Sequence, residues 1–317
     1  MTPDLNTPFF SVIIPLYNKE NYIEKTLKSV LNQSFKDFEI VIVDDGSTDK
    51  SLEIIENFQA DNIIILKQKN AGVSIARNKG AKVAQANFIA FLDADDLWYE
   101  NHLFELNKQI KAFPDAGLYC NNYEIYHTNG FCKPAELNLD YNKDCLIVPN
   151  FFTASITNCL AWTSAVALSK KTFEDIGGFD PDLKTFQDLD LWIRIALKYD
   201  ISFNPTITMS YHFFIDDSLS KNEYNIMRYN GLKKYHEYES KNSGLKQYLD
   251  INRYALAIRC LLNNEDDIYK KLKTEINYQN LNAKQRILLK TPKHIVFKIK
   301  SFQKFLIKNK LYLTAYN

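Results

Sequence analysis

The sequence lacks several features that would define its class at once. No run approaches the roughly 18 consecutive apolar residues that a transmembrane helix needs, so we predict no membrane span. Residues 1–10 carry neither a basic region nor an apolar core, so no secretory signal is expected. The 317 residues include only five cysteines and no C-x-x-C pair. A disulfide framework or a zinc site is therefore unexpected, and a cytoplasmic location is favoured.

Acidic residues are absent from the last part of the chain. Residues 276–317 contain nine lysines and arginines but no Asp or Glu, which leaves 30 of the 39 basic residues against all 38 acidic ones elsewhere. An acidic body with a basic tail is not typical of general nucleic-acid binders, so we predict no nucleic-acid partner. The contents of 46% hydrophobic and 24% charged residues exclude a disordered or fibrous chain.

Short apolar runs alternate with segments of helical period in the first third of the chain. We predict strands over residues 9–16, 38–43, 63–66 and 88–92, each followed by a helix. These strand-to-helix units predict an α/β fold with a mostly parallel, doubly wound sheet and flanking helices. Residues 115–215 mix short strands with a helix near 189–199, and residues 220–317 have a helical pattern.

Polar residues follow three of the predicted strands. Tyr17 follows the first strand, Asp44 and Asp45 end the second, and Asp93 and Asp95 follow the fourth. In open α/β sheets, ligands bind outside the carboxyl ends of the strands. The coincidence of these side chains at one edge therefore predicts a binding crevice there.

Asp93 and Asp95 flank Ala94 directly after a buried strand. Two carboxylates at positions i and i+2 can cooperate around one divalent cation where the backbone turns sharply. Mg²⁺ and Mn²⁺ are hard cations that take such oxygen ligands together with waters and phosphate oxygens. Acidic surface turns are also common, and the position after a buried strand is what favours the metal site.

The turn after the second strand admits two interpretations. Ser47 and Asp49 suit a tight turn and a helix N-cap. Alternatively, a carboxylate of Asp44 or Asp45 accepts a hydrogen bond from a ligand N–H, such as the imide of uracil. Tyr17 either stacks on a nucleobase or packs on the next helix, and taken alone the residue favours packing.

Five motifs in this order resemble those of family 2 glycosyltransferases with the GT-A fold. They read Pro15-x-Tyr17-Asn18, Val43-Asp44-Asp45-Gly46-Ser47-x-Asp49, Asn70-x-Gly72-x-x-x-Ala76-Arg77-Asn78-x-Gly80, Phe91-x-Asp93-Ala94-Asp95-Asp96, and Gly177-Gly178-Phe179-Asp180 followed by Gln187-Asp188-x-Asp190-Leu191-Trp192-x-Arg194. The resemblance covers residues 8–220. It implies a nucleotide-binding half over 8–113 and an acceptor-binding half over 114–220, before a helical C-terminal region over 221–317.

The resemblance also implies roles for individual residues. The implied donor-binding residues are Pro15, Tyr17, Asp45, Arg77, Asp93 and Ala94, and the implied ligands of Mn²⁺ or Mg²⁺ are Asp95 and His212. Tyr17 would stack on the base, Asp45 would bind the uracil edge, and Asp93 would face the ribose or the water shell of the metal. Pro15 would line the base pocket through its backbone.

Asp188 is the implied general base. The resemblance places it as the Asp of a Glu-Asp motif, and here Gln187 replaces the Glu, which removes a neighbouring charge. Asp190 is the competing candidate and ranks second, and a cap or first-turn charge on the helix of Leu191 and Trp192 is its alternative explanation.

Arg77 and His212 each have a second explanation. The chain has six Arg against 33 Lys, so an Arg at this position indicates that the planar guanidinium is needed. Arg77 either contacts the nucleotide or forms an ion pair that shapes the loop of residues 72–80. His212 either touches the metal or diphosphate, or is simply a packed or solvent-facing histidine.

The resemblance implies an inverting hexosyl- or N-acetylhexosaminyl-transferase that uses a UDP-sugar. Its expected acceptor is a glycan or lipid-linked glycan in bacterial surface polysaccharide or lipopolysaccharide assembly. No Gln-x-x-Arg-Trp motif follows Asp188, which argues against a processive synthase. A nucleotidyltransferase and a non-catalytic sugar-nucleotide-binding protein are the alternatives.

The basic tail has an amphipathic pattern. A helix from His294 would place apolar residues on one stripe, namely Ile295, Ile299, Phe302 and Leu306, with Lys300, Lys304 and Lys308 on the far side. Such a helix can lie on an anionic membrane, so residues 290–310 predict peripheral contact with the inner face of the cytoplasmic membrane. The alternative is a helix that packs this stripe on the body of the protein.

Overall fold

The computed structural model describes residues 7–126, 130–212 and 224–309. Ten strands of these residues form one sheet. They are β1 (Phe10–Leu16), β2 (Phe38–Asp44), β3 (Ile63–Lys67), β4 (Phe88–Phe91), β5 (Leu97–Trp98), β6 (Leu118–Tyr126), β7 (Cys132–Pro134), β8 (Leu146–Ile147), β9 (Val166–Ser169) and β10 (Ile201–His212). The strand order is β3-β2-β1-β4-β9-β6-β10-β5, with β7 beside β6 and β8 beside β10.

The first four strands of this order are parallel. β1 lies between β2 and β4, with Leu16 opposite Asp44 and Ile13 opposite Phe91. All residues of β2, and all of β1 except Pro15, are buried, because helices cover both faces of a parallel sheet. The carboxyl ends of these strands therefore open onto one edge.

The second half of the sheet is mixed. β9 runs antiparallel to both β4 and β6, β10 runs parallel to β6, and β5 runs antiparallel to β10. The predicted α/β class is confirmed, and the predicted parallel arrangement holds for the strands of the first third. The antiparallel β9 joins the two halves of the sheet, because it pairs with both β4 and β6. Residues of both halves therefore lie close to the turn that follows β4, as Ser164 and His212 do.

Thirteen α-helices of the described residues flank the sheet or follow it. They are α1 (Ile23–Leu31), α2 (Ser51–Glu56), α3 (Val73–Val83), α4 (His102–Ala112), α5 (Phe151–Ala154), α6 (Lys170–Ile176), α7 (Gln187–Ala196), α8 (Asn225–Lys233), α9 (His236–Glu239), α10 (Ser243–Leu262), α11 (Asp266–Glu275), α12 (Ala283–Lys290) and α13 (Lys293–Lys308). Within the described ranges, none is long and apolar enough to cross a bilayer.

The C-terminal helices share a hydrophobic core with one face of the sheet. Leu245, Leu249 and Tyr248 of α10 are buried in the same cluster as Val41 of β2 and Phe91 of β4. The C-terminal helical region is therefore packed against the sheet domain. The predicted boundary at residue 220 lies outside the described residues, and the division into two regions there stays a prediction.

The last helix, α13, packs on α10 near its start. Val296 is fully buried in the shared core, whereas Phe297, Phe302 and Phe305 are 62%, 60% and 59% exposed. Of the predicted apolar stripe, Ile295, Ile299 and Phe302 are exposed and Leu306 is half-buried. The side chains of Lys304 and Lys308 lie outside the described residues, as does Lys310.

Candidate active site

An acidic turn connects β4 to β5 at the carboxyl edge of the parallel strands. The hydroxyl of Thr26 on α1 donates to the carbonyl oxygens of Ala94 and Asp96, at 3.0 Å each. On the other side, the Asp93 N–H donates to Ser164 Oγ at 3.0 Å. Two elements distant in sequence thus hold the backbone of this turn in place, which fixes where its carboxylates point.

Each carboxylate of the turn has its own partner. Asp93 Oδ1 lies 2.5 Å from Arg77 Nη2, and Asp95 Oδ2 lies 2.8 Å from Lys19 Nζ. Asp96 is buried, and its Oδ2 accepts a 2.6 Å hydrogen bond from Ser164 Oγ. Basic side chains therefore neutralise Asp93 and Asp95 at the crevice. The buried Asp96 instead stabilises the turn through its hydrogen bond with Ser164.

Burial and mutual repulsion make the turn receptive to a cation. Burial raises the pKa of Asp95; the Lys19 ammonium opposes this, and the Asp93 charge adds to it. The pKa of Asp96 is raised well above its usual range, first by burial and then by the charges of Asp95 and Asp93. A bound cation would relieve this repulsion.

The donor set fits a hard divalent cation. Among the described residues, no three His, Cys, Asp or Glu side chains form a ready-made metal cluster. Mg²⁺ commonly binds through one or two carboxylates and completes its shell with water and substrate phosphates. Asp95, half-buried at the crevice with Asp93 beside it, is suited to that mode of binding.

His212 reaches this turn through its backbone. Its N–H lies 3.4 Å from Asp96 Oδ1, and its ring stacks on Tyr126 with centroids 5.2 Å apart and planes at 25°. Burial lowers the pKa of the ring, and the Asp95 charge opposes this. Ring packing therefore explains part of its placement, and a role as metal ligand stays a prediction.

Asp188 lies in the first turn of α7 and is half-buried. Its Oδ1 accepts the N–H of Leu189 at 2.8 Å. Burial raises the pKa of Asp188, whereas the Leu189 hydrogen bond and the Arg77 charge oppose the rise. A carboxylate made more basic by burial is suited to accept a proton.

Asp190 is occupied by structural contacts. It is buried, and its carboxylate accepts hydrogen bonds from Arg194 Nε at 2.9 Å and from the Tyr235 hydroxyl at 2.8 Å. Lys234 Nζ lies 3.4 Å away. These contacts tie α7 to the segment that follows α8, and they favour Asp188 over Asp190 as the base.

Asp45 organises the loop that precedes α3. Its carboxylate is buried and accepts three hydrogen bonds, from Gln68 Nε2 at 2.7 Å and from the N–H groups of Ala71 and Gly72 at 2.8 Å each. A carboxylate offers about four lone-pair sites, which leaves room for one ligand N–H. The structure therefore adds a loop-holding role, and binding of uracil by Asp45 stays a prediction.

Tyr17 projects from the end of β1 and is 45% exposed. The turn behind it is fixed because Asn18, at φ 50°, accepts the Thr48 N–H at 2.8 Å and donates its own N–H to Ser47 Oγ at 3.1 Å. Pro15 is half-buried within β1, opposite Val43. The Tyr17 side chain thus follows a strand end whose turn is fixed, and much of its surface is exposed, as base stacking requires.

Arg77 connects three motifs. Its guanidinium is buried, pairs with Asp93 and lies over the Phe179 ring at 5.0 Å. Asn78 fixes the same segment, because its side chain bonds the N–H and the carbonyl of Phe179 at 2.9 and 2.7 Å. Nε and Nη1 of Arg77 have no hydrogen-bond partner among the described residues. The expected ion pair is present, and contact with the nucleotide stays a prediction.

Sequence reasoning missed several residues of this site. Lys19 directly follows Tyr17-Asn18, and a basic residue at the end of that motif was the available signal. Ser164 and Thr26 carried no signal, because their contacts with the acidic turn span 68 to 71 residues of sequence. The roles of Thr26 and Ser164 are seen only in the three-dimensional structure of the turn.

Known proteins are similar to this chain in sequence and in architecture. Residues 11–175 match the family described as Glycosyl transferase family 2. The chain is 36% identical over 200 residues to the glycosyltransferase RC0461 of Rickettsia conorii, a match that covers 62% of this chain and 32% of that protein. It is 30% identical over 257 residues to the glycosyltransferase RT0329 of Rickettsia typhi, covering 78% and 75% of the two chains.

Two further similarities concern a biosynthetic glycosyltransferase and the fold. TuaG of Bacillus subtilis, named for teichuronic acid biosynthesis, is 28% identical over 225 residues, which cover 68% of this chain and 83% of TuaG. The crystal structure of S. aureus TarS residues 1–349 with UDP-GlcNAc superposes with a TM-score of 0.69 at 20% identity, over 89% of this chain and 86% of that one. The predicted GT-A architecture is thereby confirmed. The chain belongs to glycosyl transferase family 2.

Proposed function

We propose that this glycosyltransferase moves a hexose or N-acetylhexosamine from a UDP-sugar to a hydroxyl of a glycan acceptor, with inversion at the anomeric carbon. The observation that carries the proposal is the grouping around Arg77. Its guanidinium pairs with Asp93 of the acidic turn, and its charge acts on Asp188. The turn that we propose to bind a cation is thus ion-paired to the guanidinium whose charge also lowers the pKa of the proposed base.

The donor is proposed to bind at the carboxyl ends of β1 and β2. The exposed Tyr17 ring would stack on uracil, and the remaining acceptor site of Asp45 would receive the imide N–H. Arg77, buried beside Asp93, would favour the anionic donor through its positive charge. The complex of TarS with UDP-GlcNAc supports a nucleotide-sugar donor on this architecture.

A divalent cation, Mn²⁺ or Mg²⁺, would be held by Asp95, with Asp93 near its water shell and His212 as a further candidate ligand. When bound, such a cation stabilises the negative charge that grows on the departing diphosphate. The residues of this chain keep the turn rigid and balance its charge. Thr26 and Ser164 hold the turn rigid, and the Arg77 and Lys19 cations balance its charge before the donor arrives.

Asp188 is proposed to accept the proton of the attacking hydroxyl. The acceptor oxygen forms a bond to the anomeric carbon while the bond from that carbon to the diphosphate oxygen breaks, and UDP departs with the electron pair. The hydroxyl proton passes to an oxygen of Asp188. A single base acting on the face opposite the leaving group gives one displacement and therefore inversion.

The acceptor is proposed to be a surface polysaccharide or lipopolysaccharide intermediate, carried by a lipid in the membrane. Similarity to TuaG, which is named for teichuronic acid biosynthesis, supports a surface glycan. The exposed phenylalanines of α13 support a peripheral contact of residues 290–310 with the inner face of the cytoplasmic membrane.

The experiment is a screen of UDP-sugars with purified protein and MnCl₂, with product analysis and an Asp188→Asn control. We expect release of UDP, retained sugar-nucleotide binding in the control, and much slower turnover. Release of pyrophosphate in a parallel assay that supplies UTP and a sugar 1-phosphate would identify a nucleotidyltransferase instead. Binding without any turnover, even with a membrane extract as the source of acceptor, would identify a non-catalytic binding protein.

A further inference from the structure

A phenylalanine in a left-handed backbone conformation lies two residues before the proposed base. Phe186 is the N-cap residue of α7 and has φ 70° and ψ 1°. This conformation is unfavourable for a bulky residue and persists only where the surrounding structure imposes it. The Phe186 carbonyl accepts the N–H of Asp190 at 2.9 Å, so the backbone at Phe186 helps to set the direction of the turn that carries Asp188.

The C-terminal helical region packs on this phenylalanine. A Cβ atom built on Gly231 of α8 would lie 2.5 Å from Cδ1 of the Phe186 ring and 2.9 Å from Cε1, and both residues are buried. Alanine is preferred over glycine inside a helix, and here only glycine leaves room for the ring. On the same helix, Met227 Sδ accepts the N–H of Lys184 at 3.2 Å.

The two residues after α8 contact α7 beyond the base. The hydroxyl of Tyr235 lies 2.8 Å from Oδ1 of Asp190 and 3.0 Å from the Asp190 carbonyl oxygen. Burial and the Asp190 charge raise the pKa of Tyr235, so the hydroxyl stays protonated and donates. Lys234 Nζ lies 3.4 Å from the same carboxylate oxygen. Residues 225–235, here called the α8 segment, therefore contact the chain on both sides of Asp188 in sequence.

We propose that the α8 segment holds the start of α7 in the position in which Asp188 accepts the proton of the acceptor hydroxyl, with Gly231 and Tyr235 as positioning residues. The proposal rests on the function proposed above, which makes Asp188 the base. A base acts only within hydrogen-bond reach of the proton, and a displacement of about 1 Å can reduce a rate by about 10²-fold. The C-terminal helical region would thus be required for turnover through its effect on α7.

Two variants disturb the contact to different degrees. Gly231→Ala places a methyl group against the Phe186 ring and should lower kcat by about 10-fold to 10²-fold. Tyr235→Phe removes one hydroxyl without adding volume and should lower kcat less. Both should leave the dissociation constant of UDP unchanged, because the proposed nucleotide pocket lies at the ends of β1 and β2. UDP release from the UDP-sugar found in the screen above, with membrane extract as acceptor source, measures kcat, and calorimetry measures UDP affinity.

The chain offers a matched control for each variant. Tyr229→Phe, also on α8, removes a buried hydroxyl whose partner is Glu275 of α11 at 2.6 Å. Gly244→Ala, on α10, places a methyl group about as close to a side chain, 2.6 Å from Nδ2 of Asn150. Both controls should retain kcat even where urea unfolding shows a similar loss of stability.

An Asp188→Asn background separates positioning from stability. Once the base is absent, its position no longer matters, so adding Tyr235→Phe or Gly231→Ala should lower the residual turnover little further. A loss of folded protein would instead lower turnover by the same factor in both backgrounds. Non-additivity is therefore the result that a purely structural role would not give.

Hydrogen exchange tests the contact without reference to activity. Amides of residues 186–192 should exchange faster in the Gly231 and Tyr235 variants than in the unaltered protein or the controls. Unchanged exchange there, unchanged kcat in both folded variants, or equal losses in the two backgrounds would overturn the proposal. If instead the unaltered protein released no UDP from any UDP-sugar, the proposed function would fail, and Asp188 would lose its role as base. Exchange would still decide whether the α8 segment holds the start of α7.

Discussion

The ammonium of Lys19 lies 2.8 Å from Asp95, the carboxylate for which we propose a metal. The backbone N–H of Lys19 donates to Ser51 Oγ at 2.7 Å, so the start of this side chain is fixed. A divalent cation and an ammonium on one carboxylate repel each other. We therefore expect a metal at Asp95 to compete with Lys19, whose charge would then be available to the donor diphosphate.

Lys19→Met should have two effects of opposite sign. Without the competing ammonium, Mn²⁺ should bind more tightly in the absence of nucleotide, while UDP should bind more weakly because one cation near its diphosphate is lost. Electron paramagnetic resonance of free Mn²⁺ and calorimetry with UDP measure the two affinities. Lys82→Met, an exposed site on α3, is the matched control. Unchanged Mn²⁺ affinity in the Lys19 variant would contradict competition for Asp95.

Asp95→Asn should nearly abolish transfer and leave the protein folded. The substitution removes the charged ligand but keeps the size of the side chain, and hard cations bind neutral amides more weakly than carboxylates. Thermal unfolding with Mn²⁺ and UDP should show the loss of metal-dependent stabilisation. Asp182→Asn, on an exposed loop, is the control. Near-normal activity of the Asp95 variant in the presence of a chelator would show that the metal assignment is wrong.

Asp188→Asn should reduce turnover by roughly 10²–10⁴, the usual contribution of a general base, with UDP-sugar affinity retained. Asp190→Asn should behave differently, because Arg194, Lys234 and Tyr235 use that buried carboxylate for packing. We expect it to lower the free energy of unfolding by about 1–3 kcal/mol. Turnover numbers and urea unfolding measure the two effects, and a similar loss of UDP affinity in the Asp188 variant would assign Asp188 a binding role.

The pH dependence of turnover should reflect the charge of Arg77. A base must be deprotonated to act, so the rate falls as the pH drops through the pKa of Asp188, which burial has raised and the Arg77 charge lowers. Arg77→Met removes that charge, and the acid limb should therefore move to higher pH. Arg77→Lys keeps the charge and should leave the limb close to its original position. Superimposable profiles for the original protein and the Met variant would argue against this coupling.

The parallel half of the sheet was predictable because its strands are long apolar runs. In β1 and β2 nearly every residue is buried, and such runs separated by helices leave few alternatives to a parallel order. The short strand β9, Val166–Ser169, carries no comparable pattern. Its antiparallel pairing with β4 and β6 depends on contacts distant in sequence, which local periodicity does not encode.

The candidate site was predictable to the extent that motifs mark it. Asp45 shows the limit, because its position at a strand end was predicted, whereas its three hydrogen bonds to the loop before α3 were not. The position of Lys19 after the Tyr17-Asn18 motif was a signal, but its pairing with Asp95 could not be predicted from the sequence. The motifs therefore indicate candidate residues, whereas the hydrogen-bond and ion-pair partners of those residues are known only from the fold.

Tyr17→Ala should weaken UDP binding by about 1–3 kcal/mol if uracil stacks on the ring. Tyr17→Phe keeps the stacking face and is the control. Asp45→Asn replaces one acceptor oxygen by a donor, so it should reduce the preference for UDP over CDP and also loosen the loop that Asp45 holds. Calorimetry with both nucleotides measures these effects. Unchanged UDP dissociation constants in the Tyr17→Ala and Asp45→Asn variants would refute the base pocket.

The exposed face of α13 makes membrane contact testable without removing the helix. Val296 is part of the core, so truncation before residue 290 would disturb folding as well as binding. Phe297, Phe302 and Phe305 are exposed, and the Phe302 and Phe305 rings stack with centroids 6.3 Å apart. Serine at these three positions removes apolar surface and leaves Val296 in place.

The triple serine variant should bind vesicles of phosphatidylglycerol and phosphatidylcholine far less than the unaltered protein does. Aromatic side chains insert at the boundary between headgroups and acyl chains, and each nearby lysine adds on the order of 1 kcal/mol at an anionic surface. Binding by the unaltered protein should therefore also fall with salt and with neutral lipid. Sedimentation measures partitioning, and Phe104→Ser, another exposed phenylalanine on α4, is the control. Equal partitioning of the triple variant and the unaltered protein at low salt would show that α13 does not bind the membrane.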